Sequence, residues 1–365
     1  MSGTVRQPPD VDVVRLAKPD VGAEELALIR EVLESGQLTM GPMVDEFERL
    51  LAGVAGTRHA VAVSSGTAAL HVAVLALELG PGDEVLVPAY TFPATGNVVS
   101  LVGATPVLCD VDPVTMNIDP EDAARRVTPR TKAILAVHLF GRPAPLEALP
   151  DGLPVIEDAA GALGARRGER PCGSLGALAC FSFHPRKIVT TGEGGAVTTD
   201  DDALADAVRS LRHHGWQGAY EDMPRPAFNY RLSDVLCALG IPQLRRFDEL
   251  YAAYDRVARG YGERLGAIGG ITLPSTDPGD RHGWQAYVIQ LDDRDRVLDG
   301  LRAAGVQAQI GTYALHRLSA YADQGSFSGA DAAFERALAL PLHAGLTDAE
   351  LDRVSETLDR VVSHH

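Results

Sequence analysis

Short apolar, β-branched runs alternate with amphipathic helical segments from residue 59 onward, and this alternation restricts the possible folds more than any other feature. The strand-like runs are 59–63, 84–88, 105–111, 131–138, 153–157, 178–183 and 195–199. Helical periodicity occurs at 67–79, 93–102, 121–127 and 201–213, and also earlier, at 23–33. The pattern predicts an α/β domain whose largely parallel sheet is covered by helices on both faces.

The alternation ends near residue 245, and a different pattern follows. A helical segment at 244–265 leads into a stretch rich in glycine and proline, a strand at 284–291, a helix at 294–304, a short strand near 306–310 and terminal helices. This order predicts a smaller α+β domain. We therefore expect a large domain over residues 1–245 and a small domain over residues 246–365.

Charge and lysine content exclude several classes of function. The chain carries 33 Lys+Arg against 49 Asp+Glu, which gives a formal net charge of −16. A basic groove for nucleic acid and a polybasic membrane patch are therefore not expected. The lysines are Lys18, Lys132 and Lys187, so a covalent lysine has three possible positions.

The cysteines and the N-terminal composition predict a metal-free cytoplasmic protein. The four cysteines form no C-x-x-C pair and have no histidines at zinc spacing (Cys109, Cys172, Cys180 and Cys237). Residues 1–15 contain acidic residues and prolines but no apolar core of a secretory signal. The longest apolar run, 68–79, is too short to cross a bilayer. We expect free thiols in a reducing compartment.

Ser64, Ser65, Gly66 and Thr67 lie between a predicted strand and a predicted helix. The free N–H groups and positive end of such a helix can bind an anion. Serine and threonine are also the ordinary residues that cap a helix, so these residues alone leave both interpretations open. No Walker-type motif follows.

Two further positions carry candidate reactive groups. Asp158 ends an apolar strand, where open α/β sheets hold ligands, although it could equally cap the next turn. Lys187 lies between the strand at 178–183 and a glycine-rich run at 192–195. A solvated surface lysine is the alternative, but the chain uses arginine for most cations and the flanks are apolar or glycine. A desolvated lysine has a lowered pKa and can attack a carbonyl.

In this order the motifs resemble the DegT/DnrJ/EryC1/StrS family of pyridoxal-phosphate (PLP) sugar aminotransferases. The resemblance runs from about residue 38 to residue 346 and rests on SSGTAAL (64–70), PGDEVLVPAYTF (81–92), IEDAA (156–160), FSFHPRK (181–187), TTGEGGAV (190–197) and FNYRLSD (228–234). It implies a fold-type I architecture. In that fold a large domain has a mostly parallel seven-stranded sheet between helices, and a smaller C-terminal domain is α+β.

The resemblance implies roles for individual residues. Lys187 would form a Schiff base with PLP and shuttle a proton between the amino donor and the cofactor. Asp158 would pair with the pyridine nitrogen and keep it protonated. Gly66, Thr67 and Ser182 would hold the 5′-phosphate, and the rest of the implied cofactor site is completed by Ser65 and by Phe92, which would stack on the pyridine ring.

Other implied contacts involve the second subunit and the substrate. Asn229 would reach the phosphate of the neighbouring subunit's cofactor, so a homodimer with active sites at the interface is expected. Tyr313 and His316 would line the sugar pocket together with His184, and this match is looser than the others. No metal is implied.

Two positions depart from the family pattern. Three residues after Asp158 the family commonly has Gln or His, which hydrogen-bonds the phenolic oxygen of the cofactor, whereas this chain has Gly161. The segment 141–154 is also shorter than usual and leaves little room for a helix.

The resulting hypothesis is a transaminase that moves an amino group from an amino acid, expected to be L-glutamate, to a keto-sugar. We expect that sugar to be linked to a nucleoside diphosphate and to serve amino-sugar biosynthesis for a polysaccharide or an antibiotic. Retention of Lys187 favours transamination, because dehydratase members of the family replace this lysine with histidine. The alternatives are a PLP-dependent lyase or dehydratase, a cyclitol aminotransferase on the same fold, and a non-catalytic regulator. The sequence does not identify the sugar, the nucleotide or the carbon that is aminated.

Overall fold

The structure is a computed structural model that describes residues 13–218 and 222–363. The expectation about a secretory signal falls mostly on residues 1–12, which lie outside the described residues. The helices are α1 (Ala23–Ser35), α2 (Pro42–Ala55), α3 (Gly66–Ala76), α4 (Ala94–Leu101), α5 (Pro120–Arg126), α6 (Asp202–Arg212), α7 (Asp234–Arg245), α8 (Phe247–Leu265), α9 (Arg294–Ala303), α10 (Ser328–Arg336) and α11 (Asp348–Ser363). Within the described ranges, none of these helices is long and apolar enough to span a membrane.

The strands fall into two main sheets and two short ladders. They are β1 (His59–Val63), β2 (Glu84–Pro88), β3 (Tyr90–Thr91), β4 (Thr105–Cys109), β5 (Thr131–Val137), β6 (Val155–Asp158), β7 (Arg166–Arg167), β8 (Arg170–Pro171), β9 (Leu178–Ser182), β10 (Gly195–Thr199), β11 (Ile271–Thr272), β12 (Tyr287–Leu291), β13 (Gln309–Ile310), β14 (Tyr313–Ala314) and β15 (Ala337–Leu340). In place of a helix, the short segment after β5 contains two 3₁₀ turns, at Leu139–Gly141 and Leu146–Ala148.

The large sheet has seven strands in the order β1-β10-β9-β6-β5-β2-β4. β10 is antiparallel to both of its neighbours, and the other pairs are parallel. Consecutive residues of β9 belong to different cores: Phe181 is part of the core that includes residues of α2 and α8, whereas Cys180 is part of the core that includes residues of α3. The predicted mostly parallel, helix-covered sheet is therefore confirmed, and β1, β2 and β10 have the predicted bounds.

The pattern analysis did not include two helices, α2 and α7, which pack together. Gly41-Pro42 begins α2, and Gly56 ends it at φ 68°, a conformation that favours glycine. In α7, Gly240 lies so close to α2 that a Cβ atom there would be 2.5 Å from the ring of Phe47. The pair therefore forms one side of the core beneath the large sheet.

A four-stranded antiparallel sheet in the order β11-β12-β15-β13 forms the C-terminal part of the molecule. Its strands and the helices α9 and α11 give the α+β character predicted for this part. The helix predicted over 244–265 begins at Phe247, because Arg246 leaves the helical conformation between α7 and α8. The domain boundary at residue 245 stays a prediction.

The segment before α1 joins this C-terminal part. Val14 donates its N–H to the carbonyl oxygen of Gly305 at 3.0 Å, and its own carbonyl accepts from Gln307 at 2.9 Å. The N–H of Leu342 donates to the carbonyl of Leu16 at 2.9 Å. Residues at opposite ends of the chain thus form one packed unit.

A buried carboxylate holds together the end of the sheet at which the candidate site lies. Glu157 in β6 accepts hydrogen bonds from the backbone N–H groups of Gly173, Leu175 and Gly176 at 2.7–2.8 Å. The Nε2 atom of His138 lies 2.8 Å from Glu157 Oε2, while its Nδ1 atom accepts from the backbone N–H of Ala144. Burial alone would raise the pKa of Glu157, but these donors hold that pKa below its ordinary value.

We predict that Glu157→Ala lowers the free energy of unfolding by about 3–5 kcal/mol, because four donors, two of them fully buried, lose their acceptor. Urea denaturation at pH 7 measures the change. Since folding lowers the pKa of Glu157 from 4.5, its contribution is complete above that value and is lost as the pH falls below it. The difference between wild type and variant should therefore shrink in acid.

Glu356→Ala provides the control, because Glu356 is exposed on α11. It should change the free energy of unfolding by less than about 0.5 kcal/mol. Equal effects of the two substitutions would show that the buried carboxylate does not hold this region together.

Candidate active site

A cradle for an anion forms where β1 ends and α3 begins. The side chain of Ser65 caps α3 by accepting the N–H of Ala68 at 3.0 Å. A Cβ atom at Gly66 would lie 2.8 Å from the Cβ atom of Ser182, so the absence of a side chain lets β9 approach the helix end. The first N–H groups of an 11-residue helix have no partner within the helix and favour negative charge. Thr67, in this first turn, is exposed.

Asp158 is a buried carboxylate at the carboxyl end of β6. Thr95 Oγ1 donates to Asp158 Oδ2 at 2.9 Å, and the N–H of Ala160 donates to Asp158 Oδ1 at 3.1 Å. Thr95 Oγ1 also lies 3.0 Å from Thr91 Oγ1. Burial raises the pKa of Asp158, although Thr95, Ala160 and the charge of Lys187 oppose that rise. Such a carboxyl group is strongly stabilised as an anion when a cation lies against it.

Lys187 follows β9 in a tight turn whose backbone N–H donates to the carbonyl of His184 at 2.8 Å. Burial lowers the pKa of the Lys187 amine to about 8. The negative charge of Asp158 opposes this shift, and the positive charge of Arg186 adds to it. Near neutral pH a much larger fraction of this amine is unprotonated than for an ordinary lysine, and the unprotonated amine is the nucleophile.

A small pocket brings Lys187 together with residues from both parts of the chain. Its walls come from the segment after β6, from β9 and the turn that follows it, and from the segment before β12 (Ala160, Gly161, Leu163, Ser182, Lys187, Ile188, Val189 and Gln285). The sequence analysis identified Ser182 and Lys187 as site residues, but it missed Gln285 and Thr95. Neither of these residues belongs to a motif whose spacing indicates a site.

Two exposed aromatic side chains, Phe92 and Tyr313, lie next to each other. Tyr313 in β14 pairs with Thr91 in β3, which brings its ring within 6.3 Å of the ring of Phe92 in an edge-on arrangement. Phe92 is 62% exposed and Tyr313 is 40% exposed. Both rings therefore offer an open apolar surface, and the β3–β14 ladder connects that surface with the Thr91–Thr95–Asp158 hydrogen bonds.

Of the predicted site residues, Ser182 and Lys187 line this pocket, and the others lie outside its walls, including the three that follow. His184 is exposed, and burial of part of its ring lowers its pKa. His316 Nε2 lies 3.0 Å from Asp331 Oδ1, and its ring packs on Phe327. Asn229 is exposed, in a segment that pairs with the backbone of His213.

These features fit PLP. An anion cradle suits its phosphate, a buried carboxylate suits a protonated ring nitrogen, and an amine of lowered pKa suits its aldehyde. When bound, PLP supplies an electron-withdrawing ring that stabilises negative charge at the carbon attached to an amino group. The fold and the site thus define a PLP-dependent enzyme.

Comparison with known proteins gives the family. The DegT/DnrJ/EryC1/StrS aminotransferase family matches residues 19–359. The chain belongs to this family, and it is a PLP-dependent sugar aminotransferase.

Individual relatives are similar over nearly their whole length. The chain is 39% identical to a GDP-perosamine synthase of Caulobacter vibrioides, covering 97% of this chain and 99% of the relative. The crystal structure of the aminotransferase TlmJ from Streptoalloteichus hindustanus superposes with a TM-score of 0.92 at 33% identity, covering 96% of this chain and 99% of that one. DesV of S. venezuelae, solved with a ketimine intermediate, has a TM-score of 0.89 at 35% identity, covering 94% and 95%.

We predict that the amine of Lys187 in the cofactor-free enzyme reacts with acetic anhydride with a pH midpoint of about 8. The exposed Lys132 in the same digest provides an internal reference. Asp158→Asn should move the midpoint of Lys187 to lower pH, because it removes the charge that raises the pKa. Mass spectrometry of the two peptides measures both rates.

Asp151→Asn, in an exposed turn, is the control and should leave the midpoint unchanged. A midpoint near 10.5, or an upward shift in Asp158→Asn, would contradict the proposed environment of Lys187.

Proposed function

We propose that this enzyme transfers an amino group from L-glutamate to a keto-sugar linked to a nucleoside diphosphate. The observation that carries the proposal is the amine of Lys187, with a pKa of about 8, in a pocket beside the buried carboxylate of Asp158. The nucleotide-linked substrate is supported by a relative named GDP-perosamine synthase. A second relative, of Bacillus subtilis, is a spore coat polysaccharide biosynthesis protein, 37% identical to this chain, which supports a role in polysaccharide formation.

In this proposal each site residue has a separate task. Lys187 attaches the cofactor and then carries a proton from the α-carbon of the amino donor, since its amine can be unprotonated near neutral pH. Asp158, oriented by Thr95, keeps the ring nitrogen of the cofactor protonated. The N–H groups of Gly66 and Thr67 bind the phosphate, together with the hydroxyl of Ser182 and beside the capping Ser65.

The exposed aromatic residues are proposed to contact the ring and the sugar. Phe92 covers one face of the cofactor, and its edge-on contact with Tyr313 joins that face to the sugar pocket. His184 offers a polar group on the exposed side of the same turn as Lys187. His316 lies just after β14, and its Nε2 atom is held by Asp331. From this position it is proposed to support the wall of the sugar pocket.

We also propose a cytoplasmic enzyme with a large domain up to residue 245 and a small domain from residue 246. The four cysteines are free and buried, which suits a reducing compartment.

The break in helical conformation at Arg246, between α7 and α8, supports the division into a large and a small domain at this position.

Amination itself is tested with a panel of nucleotide-linked 3- and 4-keto-sugars and scyllo-inosose, with glutamate and glutamine as donors. We expect amination of a nucleotide-linked sugar and release of one 2-oxoglutarate per amino group transferred. Lys187→Ala should abolish turnover, because no other lysine borders the described pocket. Lys132→Ala, at an exposed position, should leave turnover unchanged.

Other outcomes of the panel separate the alternatives. Amination of scyllo-inosose alone would identify a cyclitol aminotransferase. Loss of water or cleavage of the sugar without release of 2-oxoglutarate would identify a dehydratase or lyase. Turnover that survives in Lys187→Ala would overturn the role of this lysine.

We propose that the active unit is a homodimer in which Asn229 completes the site of the neighbouring subunit. Asn229 is exposed and lies outside the walls of the pocket in its own chain. Phe92, Tyr313 and Phe228 are large side chains that remain exposed, and a second copy of the chain could cover them.

Complementation tests this arrangement at limiting PLP. Lys187→Ala chains refolded with Asn229→Ala chains should recover up to about one quarter of wild-type activity, because half of the dimers then contain one intact site. Chains that carry both substitutions, refolded with Asn229→Ala chains, should recover none. Absence of recovery in the first mixture, with normal dimer formation, would place Asn229 at its own subunit's site or outside any site.

A further inference from the structure

Gly161 lacks a side chain for a reason of space and not of backbone conformation. Its φ angle is outside the left-handed region that favours glycine. A Cβ atom built on Gly161 would instead meet the side chain of Gln285, at 3.1 Å from its Cβ and Cγ atoms and 3.2 Å from its Oε1 atom. The side chain of Gln285 therefore occupies the space that a side chain at position 161 would need.

The backbone around Gln285 is held against the segment that follows β5. Gln285 donates its N–H to the carbonyl of Phe140 at 3.1 Å, and Gly283 donates to the carbonyl of Gly141 at 2.7 Å. Gly141 leaves no space there, since a Cβ atom on it would lie 2.8 Å from the nitrogen of Trp284. These contacts fix the start of the Gln285 side chain relative to Gly161.

The carboxamide of Gln285 is available to a ligand. In the part of the chain that the structure describes, no hydrogen bond joins this carboxamide to another residue. Gln285 lines the same pocket as Lys187 and Ser182. A half-buried polar group that is fixed at its base and has no protein partner at its end, next to the amine of Lys187, is suited to orient what that amine binds.

We propose that Gln285 is a cofactor-contacting residue whose carboxamide N–H donates to the oxygen substituent of PLP. This inference rests on the use of PLP by Lys187 proposed above. PLP carries a phenolic oxygen on the ring carbon next to the one that bears its aldehyde. When the aldehyde is joined to Lys187, a donor that lines the same pocket is therefore suited to contact that oxygen. The absence of a side chain at position 161 thus makes space for the side chain of Gln285, which comes from a distant segment of the chain.

The expected effect concerns the proton on the nitrogen that joins Lys187 to the cofactor. A hydrogen bond to the phenolic oxygen stabilises the negative charge on that oxygen. The oxygen then attracts the proton on the neighbouring nitrogen less strongly, and the pKa of the nitrogen is lower. Removing the donor should therefore raise the pH midpoint at which the visible absorbance of the PLP-loaded enzyme changes. Gln285→Leu should raise this midpoint by about one pH unit, and Gln285→Glu, which replaces the donor with a negative charge, should raise it further. Both should release PLP faster.

Two further variants separate this role from packing. Gln290→Leu removes a carboxamide from β12 that already donates to the carbonyl of Val114 at 3.0 Å, and it should leave the midpoint unchanged. Gly161→Gln combined with Gln285→Gly moves the carboxamide to the other segment, and its midpoint should return toward the wild-type value compared with Gln285→Gly alone.

Absorbance titration requires no sugar, so its result does not depend on the identity of the acceptor. Midpoints of Gln285→Leu and Gln285→Glu within about 0.2 pH units of wild type would overturn the proposal, even if amination is demonstrated. A chain that binds no PLP would instead overturn the proposed function. Shifted midpoints in an enzyme that aminates none of the sugars tested would support Gln285 and leave only the substrate assignment wrong.

Discussion

Two consecutive carboxylates at the end of β6 support the site from opposite faces of the large sheet. Side chains alternate along a strand, so Glu157 enters one face, where it accepts three backbone N–H groups, and Asp158 enters the other, where it lies near Lys187. The first carboxylate thus fixes neighbouring loops against the strand that carries the second. Because Asp158 raises the pKa of Lys187 while burial lowers it, the amine keeps an intermediate value that suits both attack on a carbonyl and proton transfer.

Much of the fold could be predicted because the large sheet is built from short-range patterns. Buried strands such as β2 are continuous apolar runs, and the helix after β1 begins where small hydroxyl residues provide a cap. The helices α2 and α7 were harder to predict, since their pairing depends on the space at Gly240, which receives a ring from far away in the sequence. Local periodicity carries no information about such contacts.

The candidate site divides in the same way. Asp158 and Ser182 end strands of one sheet, and Lys187 follows one of these strands. Their sequence context therefore places them at the carboxyl edge of the sheet. The contribution of Gln285 could not be predicted from position 161, because it depends on how the segment before β12 packs against the loop after β6. A glycine in place of a polar residue looked like a lost contact when one segment was considered alone. In three dimensions it is the space for another side chain.

The pairing of residues 14–16 with residues 305–342 affects the order in which this protein can fold during synthesis. The strands of the large sheet have all been synthesised once residue 199 is made, and domains generally fold as units from the N-terminus. The first described segment must then wait, unpaired, until more than a hundred further residues emerge. The small antiparallel sheet is completed last, when β15 is made, and only then can residues 14–16 form all of their pairings with this part of the chain.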